Sequence, residues 1–209
     1  MEKFTVLTAT AAPLMRPNID TDSIIRVERM VGLAKEQLGP WALEMMRYRP
    51  DGSEDPGFVL NREPWRGAKI IVAAENFGCG SSREEAVWAL HGFGIRAVIA
   101  PSFGDIFFGN CFNNGMLPIL LPEATINSIA AEVGEAAGST LTVDLEAQCI
   151  VTASGARHPF EIEAMRRRML LEGMDAIALT LTHDKDIAAF QARDRGLRPW
   201  LWSSAAKPG

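Results

Sequence analysis

The stretch Asn76-Phe77-Gly78-Cys79-Gly80-Ser81-Ser82-Arg83-Glu84-Glu85-Ala86 decides the fold. It follows an apolar run at 68–74 and opens a helical run at 83–93, beyond which lies a second apolar run at 96–100. Nearly continuous apolar runs mark strands buried on both faces. The order strand–turn–helix–strand therefore predicts a βαβ unit of a parallel sheet. Its turn falls at the carboxyl end of a strand, where open α/β sheets bind ligands. Gly78 and Gly80 permit backbone conformations that a Cβ would oppose. The first amides of a helix lack internal partners and favour an anion. Ser81 and Ser82 add hydroxyls, and Arg83 adds a planar fork suited to a carboxylate. Glu85, three after Ser82, predicts a capping box with Ser82 as N-cap. The lack of Gly-Lys-Ser/Thr counts against a phosphate P-loop, and Arg83, where a third glycine belongs, against a dinucleotide fingerprint. The motif alone leaves two readings open, a well-capped helix after a tight turn and an anion site.

Working outward, residues 4–9 alternate and predict a first strand. In Asn18-Ile19-Asp20-Thr21-Asp22, Asn18 marks a turn. Asp20 and Asp22 share a face if the segment is extended, and otherwise cap an Asx-type turn. Residues 34–48 carry Leu38, Trp41, Ala42 and Met45 at helical spacing, and 49–56 read as a surface loop. Towards the carboxyl end, a helix is expected within 101–115, with Phe103/Phe107 and Phe108/Phe112 as i,i+4 pairs. A strand at 117–121 and a helix at 122–137, opened by Pro122, follow. The pattern then changes to a hairpin, 140–145 and 149–153, with a further strand at 157–162. Helices are expected at 163–171, closed by Gly173, and at 174–181 and 184–193. Arg166-Arg167-Arg168 reads as a solvated surface. Trp200 and Trp202 read as docking residues, on a partner or on the body. Residues 1–202 read as one domain and 203–209 as a disordered tail.

The chain has 209 residues and is 47% hydrophobic, enough for a sizeable core. No apolar run is long enough to span a bilayer. The start, Met1-Glu2-Lys3-Phe4, lacks a basic region followed by an apolar one, so a cytoplasmic protein is expected. A net charge of −5 weighs against nucleic acid as a partner. Cys79, Cys111 and Cys149 are odd in number and widely spaced, with no accompanying His pattern, so neither a metal site nor a disulfide framework is indicated. Cys111 and Cys149 read as core residues; Cys79 lies in the turn but has no evident base to activate it.

Four segments occur in an order that resembles the small subunit of 3-isopropylmalate dehydratase. They are Asn18-Ile19-Asp20-Thr21-Asp22, the stretch from Asn76 to Glu84, Ala100-Pro101-Ser102-Phe103, and Asn113-Asn114-Gly115-Met116-Leu117-Pro118-Ile119. The segment Arg167-Arg168-Met169-Leu170-Leu171-Glu172-Gly173-Met174-Asp175 resembles it too. This subunit is similar to the swivelling domain of aconitases, which implies a β/β/α fold with a mixed sheet and flanking helices. The resemblance implies a hydro-lyase of two chains acting on a small hydroxy-diacid, in leucine biosynthesis. A separate large subunit would carry a [4Fe–4S] cluster, and this chain would carry no cofactor. By position, Ser81 matches the residue that moves the proton on carbon, and Asp22 an active-site aspartate. Gly80, Ser82 and Arg83 match the substrate binders. The family usually has His where Glu85 stands. The resemblance therefore also admits dimethylmalate, citramalate or homoaconitate as the substrate type. A non-catalytic anion- or RNA-binding module is the reading from another class, against which the acidic charge counts.

Overall fold

The computed structural model describes residues 1–202; the expected tail, 203–209, lies outside the described residues. The strands are β1 (Val6–Leu14), β2 (Ile70–Ala73), β3 (Ala97–Ala100), β4 (Leu117–Leu120), β5 (Thr140–Asp144), β6 (Cys149–Thr152) and β7 (Arg157–Pro159). They form one seven-stranded sheet in the order β4-β3-β2-β1-β5-β6-β7. The half from β1 to β4 is parallel, and the half from β1 to β7 is antiparallel, so the sheet is mixed.

Strand β1 joins the two halves and runs further than its alternation predicts. Its first part pairs with β5, from Val6 opposite Asp144 to Thr10 opposite Thr140. Its second part, from Ala11 opposite Ile70 to Leu14 opposite Ala73, pairs with β2, with Ala11, Ala12 and Leu14 buried and Pro13 half-buried. Apolar alternation disappears there because both faces are largely covered.

The helices are α1 (Thr21–Ile24), α2 (Val27–Met30), α3 (Glu44–Arg47), α4 (Glu84–Phe93), α5 (Asp105–Asn113), α6 (Glu123–Gly134), α7 (Ala164–Glu172), α8 (Ala176–Leu181) and α9 (Asp184–Leu197). Two cores lie on opposite faces of the sheet. Ile71, Ala73, Val98 and Ala100 pack with α1, α4 and residues 38–43. Ile70, Val72, Ala97 and Ile99 pack with α6 and the antiparallel half.

Two expectations need correction. The helical spacing of 34–48 does not make one helix. It breaks into turns at Lys35–Gln37 and Gly39–Trp41, followed by α3. Gly39 rests against the backbone of Gly92, and Leu43 takes a left-handed φ of 57° while donating its amide to Ile24 O at 2.8 Å. Tertiary packing overrides the local pattern. The arginine triplet is also not merely solvated: the Arg166 guanidinium lies 5.3 Å from the Phe108 ring and 5.0 Å from Phe112, joining α7 to α5. Arg167 donates to Leu145 O and Glu146 O, and only Arg168, paired with Glu172, fits the surface reading.

Candidate functional site

Neighbouring parallel strands deliver three chain segments to one end of the sheet. The chain leaves β1, turns at Asn18 (φ 55°) and enters α1; it leaves β2 and turns at Asn76 (φ 58°); it leaves β3 and enters α5. Both turn residues are asparagines, which tolerate the left-handed region better than most side chains. Asn76 Nδ2 donates to Asn18 Oδ1 at 2.7 Å, and Asn18 N to Glu75 O at 3.0 Å. The glycine loop is then sewn to the first segment. Gly78 N donates to Ile19 O at 2.7 Å and Thr21 N to Cys79 O at 2.9 Å. The buried Thr21 hydroxyl donates to Ser81 O at 2.8 Å. On the other side Phe77 N donates to Ser102 O at 3.1 Å, Gly104 N to Phe77 O at 2.9 Å, and Asn76 N to Ser102 Oγ at 2.8 Å.

The glycines are demanded by close approach. Gly78 (φ 71°) lies on the face of Phe107, where a Cβ would stand 2.6 and 2.7 Å from ring carbons Cδ1 and Cδ2. A Cβ on Gly104 would run into the Gly78 carbonyl, 3.0 Å from Cys79 Cα. Phe77 anchors the loop from below, edge-on to Phe107 with centroids 5.5 Å apart. The outer side of the loop is open. Gly80, Ser81 and Ser82 face Gly104, Asp105 and Ile106 across a recess of about 270 Å³. Both serines are exposed. Among the described residues, neither hydroxyl and none of the amides of Gly80, Ser81 and Ser82 has a hydrogen-bond partner.

Asp22 and Arg83 are brought together as an ion pair, Arg83 Nη1 donating to Asp22 Oδ1, but neither lines that recess. Asp20 and Asp22 are not extended neighbours on one face. Asp20 is the N-cap of α1, its Oδ1 accepting from Ser23 N at 2.7 Å, while Asp22 in the first turn reaches Arg83. The capping expectation at the glycine loop fails. Helix α4 begins at Glu84 and its N-cap is Arg83, extended at φ −131° and ψ 113°, with no side-chain cap bond. Ser82 is therefore not the cap, and Glu85 forms no capping box. The left-handed turn at Gly80 (φ 86°) and the pull of Asp22 on Arg83 delay the helix start. The serines are left to solvent instead of being spent on the helix. The sequence did not reveal Thr21, Ser102 and Asn18 as the stitches of the site. Cross-strand partners carry no local periodicity.

Cys111 and Cys149 are buried, and burial pushes the Cys111 thiol well above its usual range. Cys79 is half-buried. Among the described residues no three His, Cys, Asp or Glu side chains are grouped to hold a metal ion. No described helix is long and apolar enough to cross a membrane.

A mixed sheet with a glycine–serine loop at the carboxyl end of β2 defines the aconitase type of swivelling domain. A family model for the aconitase C-terminal domain matches residues 1–124. A model described as LeuD_N matches 128–164, and one for the C-terminal domain of the 3-isopropylmalate dehydratase small subunit matches 177–202. The 3-isopropylmalate dehydratase small subunit of Gluconacetobacter diazotrophicus is 52% identical over 96% of this chain and 97% of its own length. That of Rhodospirillum centenum is 51% identical over 96% and 98%. A crystal structure of 3-isopropylmalate dehydratase from Methanocaldococcus jannaschii superposes with a TM-score of 0.62 at 28% identity, covering 89% of this chain and 99% of that one. The chain belongs to the family of 3-isopropylmalate dehydratase small subunits.

Proposed function

We propose that this chain is the substrate-capping subunit of a two-chain cytoplasmic hydro-lyase. The assembled enzyme interconverts 2-isopropylmalate and 3-isopropylmalate through isopropylmaleate, in leucine biosynthesis. Besides the family, one observation carries the two-chain reading: the site is incomplete. Arg83 lies outside the recess and is already matched by Asp22, and the recess wall carries the carboxylate of Asp105. A dicarboxylate placed there needs cations from outside this chain.

The buried, separated Cys111 and Cys149 and the loop residue Cys79 do not fit a [4Fe–4S] cluster. That cofactor belongs on the large subunit, where it supplies a Lewis acid for the substrate hydroxyl. In this chain Ser81 Oγ removes or returns the proton on carbon. The unpartnered amides of Gly80, Ser81 and Ser82 and the nearby positive charge of Arg83 favour an ionised oxygen. Arg83 uses one Nη for Asp22 and has further N–H groups for a substrate carboxylate, which Gly80 N and Ser82 Oγ also hold. Asp22 fixes the direction of the guanidinium. Rigid anchoring through Phe77 and Gly78 keeps these groups in place, so little reorganisation is needed during reaction.

The test is to purify the chain alone and with its large subunit and assay hydroxy-diacids. The chain alone should be colourless and inactive, and the complex should prefer isopropylmalate. Activity of the isolated chain, or preference for citramalate, dimethylmalate or homoaconitate, would contradict the reading.

A further inference from the structure

The last buried apolar side chain among the described residues is Leu170, near the end of α7. Beyond it the chain still forms α8 and α9, of 6 and 14 residues. Helices this short are marginal in water unless an apolar face is buried. Here that face is uncovered. Ile177 and Leu181 lie one turn apart on α8, 70% and 62% exposed. Phe190 and Leu197 lie two turns apart on α9, and Leu201 follows in the terminal turn; all three are exposed.

The segment is nevertheless shaped. Asp175 caps α8 by accepting from Ala178 N at 2.7 Å. Asp194 accepts from Arg198 Nε at 2.6 Å and from Trp202 Nε1 at 2.9 Å, folding the terminal turn back onto α9. Trp202 is thus held within the arm itself, by Asp194 of α9, and not on the sheet or its flanking helices. Between α7 and the arm runs a groove of about 600 Å³, lined by Met165, Leu179 and Ile187 among others.

We infer that α8, α9 and the turn Pro199–Leu201 form a docking arm for the large subunit, which buries its apolar face and fills the groove. This rests on the two-chain reading above. The part of the chain that matches the aconitase C-terminal domain ends at residue 124, whereas 177–202 match a model specific to the small subunit. The relative from Gluconacetobacter diazotrophicus, named a small subunit, aligns over 97% of its own length and 96% of this chain, so the alignment takes in the positions of the arm. On the two-chain reading the domain is held to the rest of the enzyme by contact alone. The arm is also connected to the recess. Helix α5 begins on the recess wall at Asp105 and Ile106, Arg166 of α7 stacks on its Phe108 and Phe112, and Met165 of α7 opens onto the groove. Packed helix axes lie about 8–10 Å apart, so one partner surface can close the recess and reach the groove.

The experiment compares the full chain with Leu181→Glu and with Leu197→Glu, each at an exposed position. Thermal unfolding of each chain alone establishes that it folds. Affinity for the purified large subunit is then measured by sedimentation, and turnover at saturating large subunit by assay. Each substitution should weaken the complex by about tenfold or more. Turnover at saturation should stay within about twofold, because the arm carries no reacting group. Unchanged affinity would overturn the inference. So would a wild-type chain that self-associates through the arm, with the substitutions abolishing that and leaving large-subunit affinity intact. If the wild-type complex does not form or is inactive, the two-chain reading fails first, which is a distinct result.

Discussion

Replacing Gly78 by Ala perturbs the loop at its tightest contact. Two costs combine. The residue sits at φ 71°, where a non-glycine residue is disfavoured by about 1–2 kcal/mol. The added Cβ would stand 2.6–2.7 Å from the Phe107 ring carbons Cδ1 and Cδ2, and overpacking of this kind costs about 1–3 kcal/mol. Phe107 cannot retreat freely, because it is wedged between Phe77 and Phe103, with centroids at 5.5 and 6.4 Å. The sum is roughly 2–5 kcal/mol, or on the order of 10 °C in Tm for a chain of this size. Gly80 provides the comparison. It has a similar φ of 86°, but its Cβ would meet Asp20 Cβ at 3.4 Å and Thr21 Oγ1 at 3.9 Å, both ordinary contacts. Gly80→Ala should therefore lose only the backbone part, about 1–2 kcal/mol. Urea unfolding of both variants and the parent chain measures the difference directly. If Gly78→Ala proves no less stable than Gly80→Ala, the Phe107 contact does not constrain the loop and the account of its rigidity is wrong.

Arg83→Lys keeps the charge but loses the fork, so kcat/KM of the assembled enzyme should fall by tens-fold or more, from about 2–5 kcal/mol of lost carboxylate binding; unchanged kinetics would refute the role. His91 gives a pH prediction. Burial, with Arg96 and Lys35 nearby and only Glu2 opposing, holds its pKa below the ordinary 6.5. As pH falls through 6.5 the unfolded chain takes up a proton that the folded chain refuses, so stability declines until pH drops below the folded value. His91→Gln should therefore lose less stability between pH 7.5 and 5.5 than the parent does, by urea midpoint; an equal loss would contradict this.

The parallel half of the sheet was legible because burial on both faces writes itself as unbroken apolar runs, at 68–74 and 96–100, flanking one helix. The glycine loop was legible as a tight turn because Gly78 and Gly80 answer a backbone need that no other residue meets cheaply. The helix start is not legible, because Ser82 and Glu85 have the right spacing for a cap, while the competing interaction, Asp22 with Arg83, spans 61 positions of sequence. The broken helix at 34–48 has the same origin. Its apolar spacing is helical, but Gly39 must touch Gly92 and Leu43 must bond to Ile24. Asp20 and Asp22 could not be told apart from their spacing, and only the turn geometry separates the cap from the ion-pair partner.

On the proposed mechanism Ser81 moves the carbon-bound proton. The most direct test is exchange of that proton with deuterated solvent, followed by NMR on the assembled enzyme with Ser81→Ala, Ser82→Ala and Cys79→Ser. Ser81→Ala should fold, join the large subunit and bind substrate, yet show no exchange, while Cys79→Ser retains it and Ser82→Ala binds substrate more weakly. Parental exchange in Ser81→Ala, or loss confined to Cys79→Ser, would assign the base to a different side chain.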